Sequence, residues 1–159
     1  MGKRRKAREC ALQMLFQLEF VDDDPGVIFK DYWQRQPVSQ EIKEYSEWLV
    51  RGICQKRAEV DGAIQKASRN WRLERMATVD RNILRIAVFE MLYEKNLAPA
   101  IIMDEAIEIA KKYSGQEGAV FVNGILDGVK RLLLGSKDEE NVAEKPAESG
   151  ALPEEEVNK

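Results

Sequence analysis

Apolar residues return at every third or fourth position along nearly the whole chain, and no long stretch alternates with the period of two that a half-buried strand requires. That pattern restricts the fold to an all-α one. Ala7, Ala11, Met14, Leu15 and Leu18 form one apolar stripe on a first helix from about Lys3 to Phe20. Turn chemistry from Asp22 to Gly26 ends it, and a short second helix from about Val27 to Gln36 stops at Pro37. Ser39 is placed to cap a long helix carrying Ile42, Tyr45, Leu49, Ile53, Val60 and Ile64, which reaches about Ser68. After a connector around Trp71, Thr78 is placed to cap a helix with Ile83, Leu84, Ala87, Val88 and Met91 facing inward. Pro99 marks a loop, a helix follows from about Ile102 to Tyr113, and "YSGQEG" separates it from a last helix near Ala119 to Leu134. The expectation is a compact bundle of about six to seven helices in two three-helix halves, residues 1–70 and 71–135.

Charge is distributed unevenly. In a chain of net charge −3, the segment from Ser136 to Lys159 carries eight acids against three lysines, which leaves Met1 to Gly135 at +2. With two prolines and almost no large apolar groups, residues 136–159 cannot offset their ordering entropy and are expected to be a disordered acidic tail.

The basic start followed by "ALQMLFQLEFV" is not a secretory signal, because Glu9, Gln13, Gln17 and Glu19 interrupt it and no small-residue cleavage site follows. Gly2 has Lys6 where a myristoylation signal needs Ser or Thr. No apolar run approaches the roughly 20 residues of a spanning helix, so no membrane role is expected. Cys10 and Cys54 lack metal spacing and read as reduced thiols, which points to a cytoplasmic protein.

Histidine is absent, which removes the usual general base and the commonest metal ligand. No phosphate loop, dinucleotide-binding glycine motif or nucleophile elbow occurs. Glu41, Glu44 and Glu47, and Asp104, Glu105 and Glu108, cluster at helical spacing, but solvated faces or partner contacts explain them. The expectation is a protein with no catalytic residues, cofactor or metal.

Lys3, Arg4, Arg5, Lys6 and Arg8 precede the first acid, Glu9. Cations at a helix N-terminus oppose the macrodipole at about 0.3–1 kcal/mol each. Their retention suggests an external polyanion, nucleic acid above all, with a solvated end or ion pairs to another helix as the alternatives. Without strands or a recognition helix, single-stranded RNA is the better-matched ligand, and Phe121, Tyr113 and Asn123 could stack on or bond to its bases. Core packing is the competing role for Phe121. Gly124 and Gly128 suit a close helix contact.

Three stretches, "RRKARECALQMLFQ", "WRLERMATVDRNILRIAVFEMLYE" and "DEAIEIAKKYSGQEGAVFVNGILD", resemble in order and spacing the NusB family of transcription antitermination factors. The resemblance covers Arg4 to Leu134. It implies binding of boxA, a single-stranded element of ribosomal-RNA leader transcripts, together with NusE, the tenth small-subunit ribosomal protein, and assembly with elongating RNA polymerase and other Nus factors. On this resemblance the RNA-contacting first helix is Lys3, Arg4, Arg5, Lys6 and Arg8, with Gln13 added, and the other RNA-facing edge runs from Glu117 to Phe121, with Phe121 as its aromatic. Asp80 matches an acidic position at the NusE interface, which suits a basic ribosomal protein. Arg81, Arg85 and Glu90 match the family but are read as structural.

Val120 stands where the family often has a basic residue, and Asp104 where many relatives have Asn. Exposed apolar positions would support a homodimer that hides the RNA face. The alternative reading is a helical protein–protein adaptor whose basic start serves another acidic partner. A NusB-like domain also precedes some rRNA cytosine methyltransferases, but this chain is too short to hold that enzyme.

Overall fold

The computed structural model describes residues 2–144, with side-chain surroundings through residue 135. Seven α-helices and one 3₁₀ turn follow in order: α1 Gly2–Leu18, α2 Pro25–Arg35, α3 Gln40–Gln55, α4 Arg57–Ala67, the turn Leu73–Arg75, α5 Thr78–Tyr93, α6 Pro99–Tyr113 and α7 Gly115–Glu144. No strand occurs among the described residues. The chain up to Val129 forms one compact unit, and the residues from Lys130 a second, whose described part is the rest of α7. The helix α7 thus runs past Leu134, and the acidic tail beyond residue 144 lies outside the described residues.

α5 is the axis of the first unit. Asn82 to Glu90 is buried without a break, and α1, α3, α4 and α6 all pack on this helix. α1 also packs along α3, so it joins the helices before Trp71 to those after it. Its stripe, Ala7, Cys10, Ala11, Met14 and Leu15, meets Leu49, Val50 and Ile53 of α3 and Leu84, Ala87 and Val88 of α5 in the core, whereas Leu18 and Met91 are only half-buried. Cys10 and Cys54 are free thiols.

Local chemistry sets the helix ends. Asp24 caps α2, accepting from the Gly26 N–H at 2.8 Å, and Pro25 follows in the first turn, where its missing N–H costs nothing. Ser39 caps α3 as its sequence position suggests, accepting from the Ile42 N–H at 3.4 Å. Four expectations need correction. The long helix is two, because the backbone turns out of helical geometry at Lys56 (φ −108°, ψ 27°), a break that keeps Val60 and Ile64 buried against α5. Thr78 is the first residue of α5 rather than its cap, since the Arg81 N–H already reaches the Ala77 carbonyl at 2.9 Å. Pro99 begins α6 instead of marking a loop, being suited to a first turn. The glycine-rich separator is helix from Gly115 onward, because Gly115 at φ +92° makes the turn after Ser114 by itself.

Gly52 marks the closest approach of α3 to α5. A β-carbon there would stand 2.1 Å from Phe89 Cζ, and that buried ring is held by Trp48 and Tyr93, each 4.9 Å away between centroids. Gly52→Ala is therefore expected to destabilise by about 1–2 kcal/mol, overpacking exceeding the gain in helix propensity, as urea denaturation would measure. A β-carbon at Gly128 would likewise stand 3.2 Å from Ala67 Cβ, but Gly124 faces open space, so only one of the two glycines serves a close contact.

Candidate nucleic-acid interface

Four of the five cations that open α1 have acidic partners far along the chain, on α3, α5 and α6 or at the end of α5. Lys3 Nζ lies 3.1 Å from Glu41 Oε1, and Arg4 Nη1 lies 3.4 Å from Glu94 Oε2 with its guanidinium 3.8 Å over the Tyr45 ring. Arg5 grips Glu105 in a fork, Nε to Oε1 at 2.7 Å and Nη2 to Oε2 at 3.1 Å. The Arg5 hydrogen bond holds the Glu105 carboxyl below the usual carboxylate range, against the effect of burial. Lys6 is exposed and has no ion pair among the described residues. The cost of cations at the helix start is thus met largely inside the protein, through the interhelix ion pairs that the sequence left as one alternative.

These pairs are not equivalent. Exposed pairs such as those of Lys3 and Arg4 contribute about 0–1 kcal/mol, so these cations can exchange a carboxylate for a phosphate at small cost. Arg5 is half-buried but reachable. Arg8 is a correction to the expected RNA-contacting set: it is only 3% exposed, and its Nε lies 3.0 and 2.9 Å from the two carboxylate oxygens of Glu90, itself 1% exposed. The Tyr45 hydroxyl also donates to Glu90. Burial pushes the Glu90 carboxyl up while Arg8 and Tyr45 draw it back, and burial raises Tyr45 as well.

Gln13 is likewise engaged. Its Oε1 accepts from the Tyr32 hydroxyl at 2.5 Å, and its Nε2 donates to the Tyr113 hydroxyl at 3.4 Å. Tyr113 in turn donates to Glu9, which also pairs with Lys112 at 3.3 Å. This network ties the middle of α1 to the end of α6, one residue before the turn into α7.

On α7, Glu117 and Asn123 are exposed and Phe121 is half-buried. Glu117 and Phe121 lie one turn apart on the same face, whereas Asn123 is two residues on and points elsewhere. Val120 and Asp104 are both exposed. Phe121 meets Trp71 edge to face, at 6.0 Å and 85°. Trp71 is the residue that sequence reasoning missed, used there only as a dividing point. The signal was present in the arginines around it, Arg69, Arg72 and Arg75.

Asp80 does not present a free charge. It is 8% exposed, and the Ser114 hydroxyl donates to its Oδ1 at 2.5 Å, bracing α5 against the turn between α6 and α7. Gly118 closes that joint, since a β-carbon there would stand 1.9 Å from Ser114 Oγ. The acid expected at the NusE interface is thus nearly covered and already engaged by Ser114. Arg81 and Arg85 are structural: Arg81 pairs with Glu19 at 3.1 Å, and Arg85 with Glu19 and Asp61, both at 2.8 Å. Among the described residues no helix is long and apolar enough to cross a membrane, and no group of three or more His, Cys, Asp or Glu is placed to hold a metal.

The NusB family model matches residues 5–131. The transcription antitermination protein NusB of Sorangium cellulosum is 44% identical over 129 residues, 81% of this chain and 92% of its own. The structure of T. maritima NusB is 37% identical, with a TM-score of 0.74 over 80% of this chain and 90% of that one. A crystal structure of antitermination factors NusB and NusE in complex with dsRNA is similar at 27% identity and a TM-score of 0.76, over 83% of this chain and 98% of that one.

Proposed function

This chain belongs to the NusB family, and from that premise we propose that it binds boxA-type single-stranded RNA together with NusE and carries the pair onto elongating RNA polymerase in the cytoplasm, helping it read through terminators. The observation that carries the reading is the start of α1, where Lys3, Arg4, Arg5 and Lys6 remain within reach of a ligand and are held, at most, by acids near the surface. A phosphate backbone can replace those carboxylates with little loss, and it adds counterion release that a carboxylate cannot. A similar NusB was solved with NusE and double-stranded RNA, which supports both ligand classes. Glu117, Phe121 and Asn123 would then contact bases from α7. NusE would dock near the joint braced by Asp80, and the two modest surfaces together would bind RNA better than either alone. Exposed and in tilted ring contact, Phe16 and Phe20, with Val21, are candidates for a homodimer contact.

The test is binding of a boxA-like RNA, its scrambled control and its duplex form, with and without NusE, in wild type and in Arg4→Ala/Arg5→Ala. The expected result is a preference for the single strand that grows with NusE, falls steeply with salt, and weakens at least tenfold in the variant. Should the wild type ignore boxA even with NusE bound, the helical adaptor becomes the better account.

A further inference from the structure

The connector between α4 and α5 is fixed by its own polar groups. Gln65 Nε2 donates to the carbonyls of Ser68 at 3.0 Å and Trp71 at 2.7 Å, while the Ser68 hydroxyl donates to the same Trp71 carbonyl at 3.2 Å. The Leu73 N–H closes the loop onto Gln65 Oε1 at 2.9 Å. All four bonds set the backbone around Trp71, yet the residue is 54% exposed, and its one ring contact among the described residues is Phe121. A rigid turn that presents a half-bare indole is poorly explained by packing, because the same bonds would hold a polar residue there equally well.

Charge indicates what the ring could meet. Arg69, Arg72 and Arg75 are all exposed, and the one acid among them, Glu74, lies 3.2 Å from Arg72 in a solvent-exposed pair. Residues 69–75 therefore carry a net +2. One turn beyond Phe121, Gly124 has nothing within 4 Å of where a β-carbon would stand, so no side chain of its own narrows that side. An exposed indole against a half-buried phenyl ring, beside guanidinium groups, suits a polyanion with flat bases better than an apolar peptide.

We propose that Trp71 joins Phe121 in a stacking platform for single-stranded RNA, with Arg69, Arg72 and Arg75 holding the adjoining phosphates. The proposal rests on the RNA reading above and extends the RNA contact to a segment outside the start of α1. Because the turn is already set, little ordering is needed when a base stacks on it.

The test measures binding of the full chain to the boxA-like single strand and, separately, to NusE, comparing wild type with Trp71→Ala, Trp71→Phe, Arg69→Ala/Arg75→Ala and, as reference, Arg4→Ala/Arg5→Ala. Trp71→Ala should weaken RNA binding about tenfold, and Trp71→Phe should retain most of it. Loss of two phosphate contacts should reduce the slope of log affinity against log salt by about 1.4 in the Arg69/Arg75 variant. Circular dichroism melts check folding, and if Trp71→Ala melts early, the Phe and double-arginine variants decide. Unchanged RNA affinity at this surface, alongside a loss in the Arg4/Arg5 variant, overturns the platform and leaves the RNA reading standing. A wild type that binds no RNA overturns both. Weaker NusE binding with RNA affinity intact assigns the surface to a protein partner and overturns the platform as well.

Discussion

Arg8→Ala is expected to destabilise the protein by about 3–5 kcal/mol, and Glu90→Ala by a similar amount. Each substitution strips a buried charge of its partner: Glu90 would be left with the Tyr45 hydroxyl as its remaining donor, and Arg8 with the more distant Glu105, whose Oε1 is 3.6 Å from its Nη1. Neither site admits enough water to compensate, since both residues are almost wholly covered. Replacing both by apolar residues of similar volume, as in Arg8→Met/Glu90→Leu, should recover most of the loss, because the desolvation of both ions disappears along with their attraction. Urea denaturation of the two single variants and the double completes the cycle. A loss below about 1 kcal/mol in Arg8→Ala would show that the pair opens to solvent. The result also governs how RNA data are read. Any Arg8 variant that loses RNA binding is expected to do so by unfolding, which is why the functional test alters Arg4 and Arg5 alone.

The second large effect belongs to Glu19, just past the end of α1. Its carboxylate accepts from Arg81 at 3.1 and 3.3 Å, from Asn82 at 3.1 Å and from Arg85 at 2.8 Å, so one side chain organises the first two turns of α5. Glu19→Ala should cost about 2–3 kcal/mol, less than the Arg8 variant because Arg85 keeps Asp61. Burial alone would push the Glu19 carboxyl up, but the hydrogen bonds from Arg81 and Asn82 and the charges of Arg81 and Arg85 outweigh it and hold it below its ordinary 4.5. As pH falls, the unfolded chain therefore takes this proton before the folded one does. The advantage of wild type over Glu19→Gln should be complete above about pH 4.5 and should shrink as pH falls through the lower folded value. Denaturant titrations of both proteins across that range check it. A gap that persists unchanged to pH 2 would mean that neutral hydrogen bonding, rather than charge, holds the joint.

Periodicity made the helices legible because each buries a stripe, and a stripe is a local property. What periodicity could not show was decided by single residues. A one-residue break at Lys56, a proline admitted into the first turn of α6 and one left-handed glycine at position 115 leave the spacing of apolar residues almost unchanged. The site was legible in part for a similar reason. Five cations within six positions are visible to any reader of the sequence, but the acids that receive four of them are Glu41, Glu90, Glu94 and Glu105, 38 to 100 positions away. Asp80 and Gln13 carry the polar character expected of contact residues, and only tertiary structure reveals that their polar atoms are already engaged. Trp71 is the converse case, a large apolar residue that composition assigns to a core and the fold leaves in the open.

α1 carries the wrong sign of charge for its dipole at both ends, cations at its start and Glu19 just past its finish, and both ends are answered by helices made much later. Arg8 waits 82 residues for Glu90, Glu9 waits 103 for Lys112, and Glu19 waits 62 for Arg81. On a translating ribosome α1 thus emerges well before the residues that satisfy most of its charges. Until α5 and α6 have left the exit tunnel, the nascent chain displays Arg4, Arg5 and Arg8 without their acids, and only α2 and α3 are there to cover part of the apolar stripe. Docking of α1 is then a late, long-range closure, and the lifetime of that open form is set by the time needed to synthesise the helices that close it.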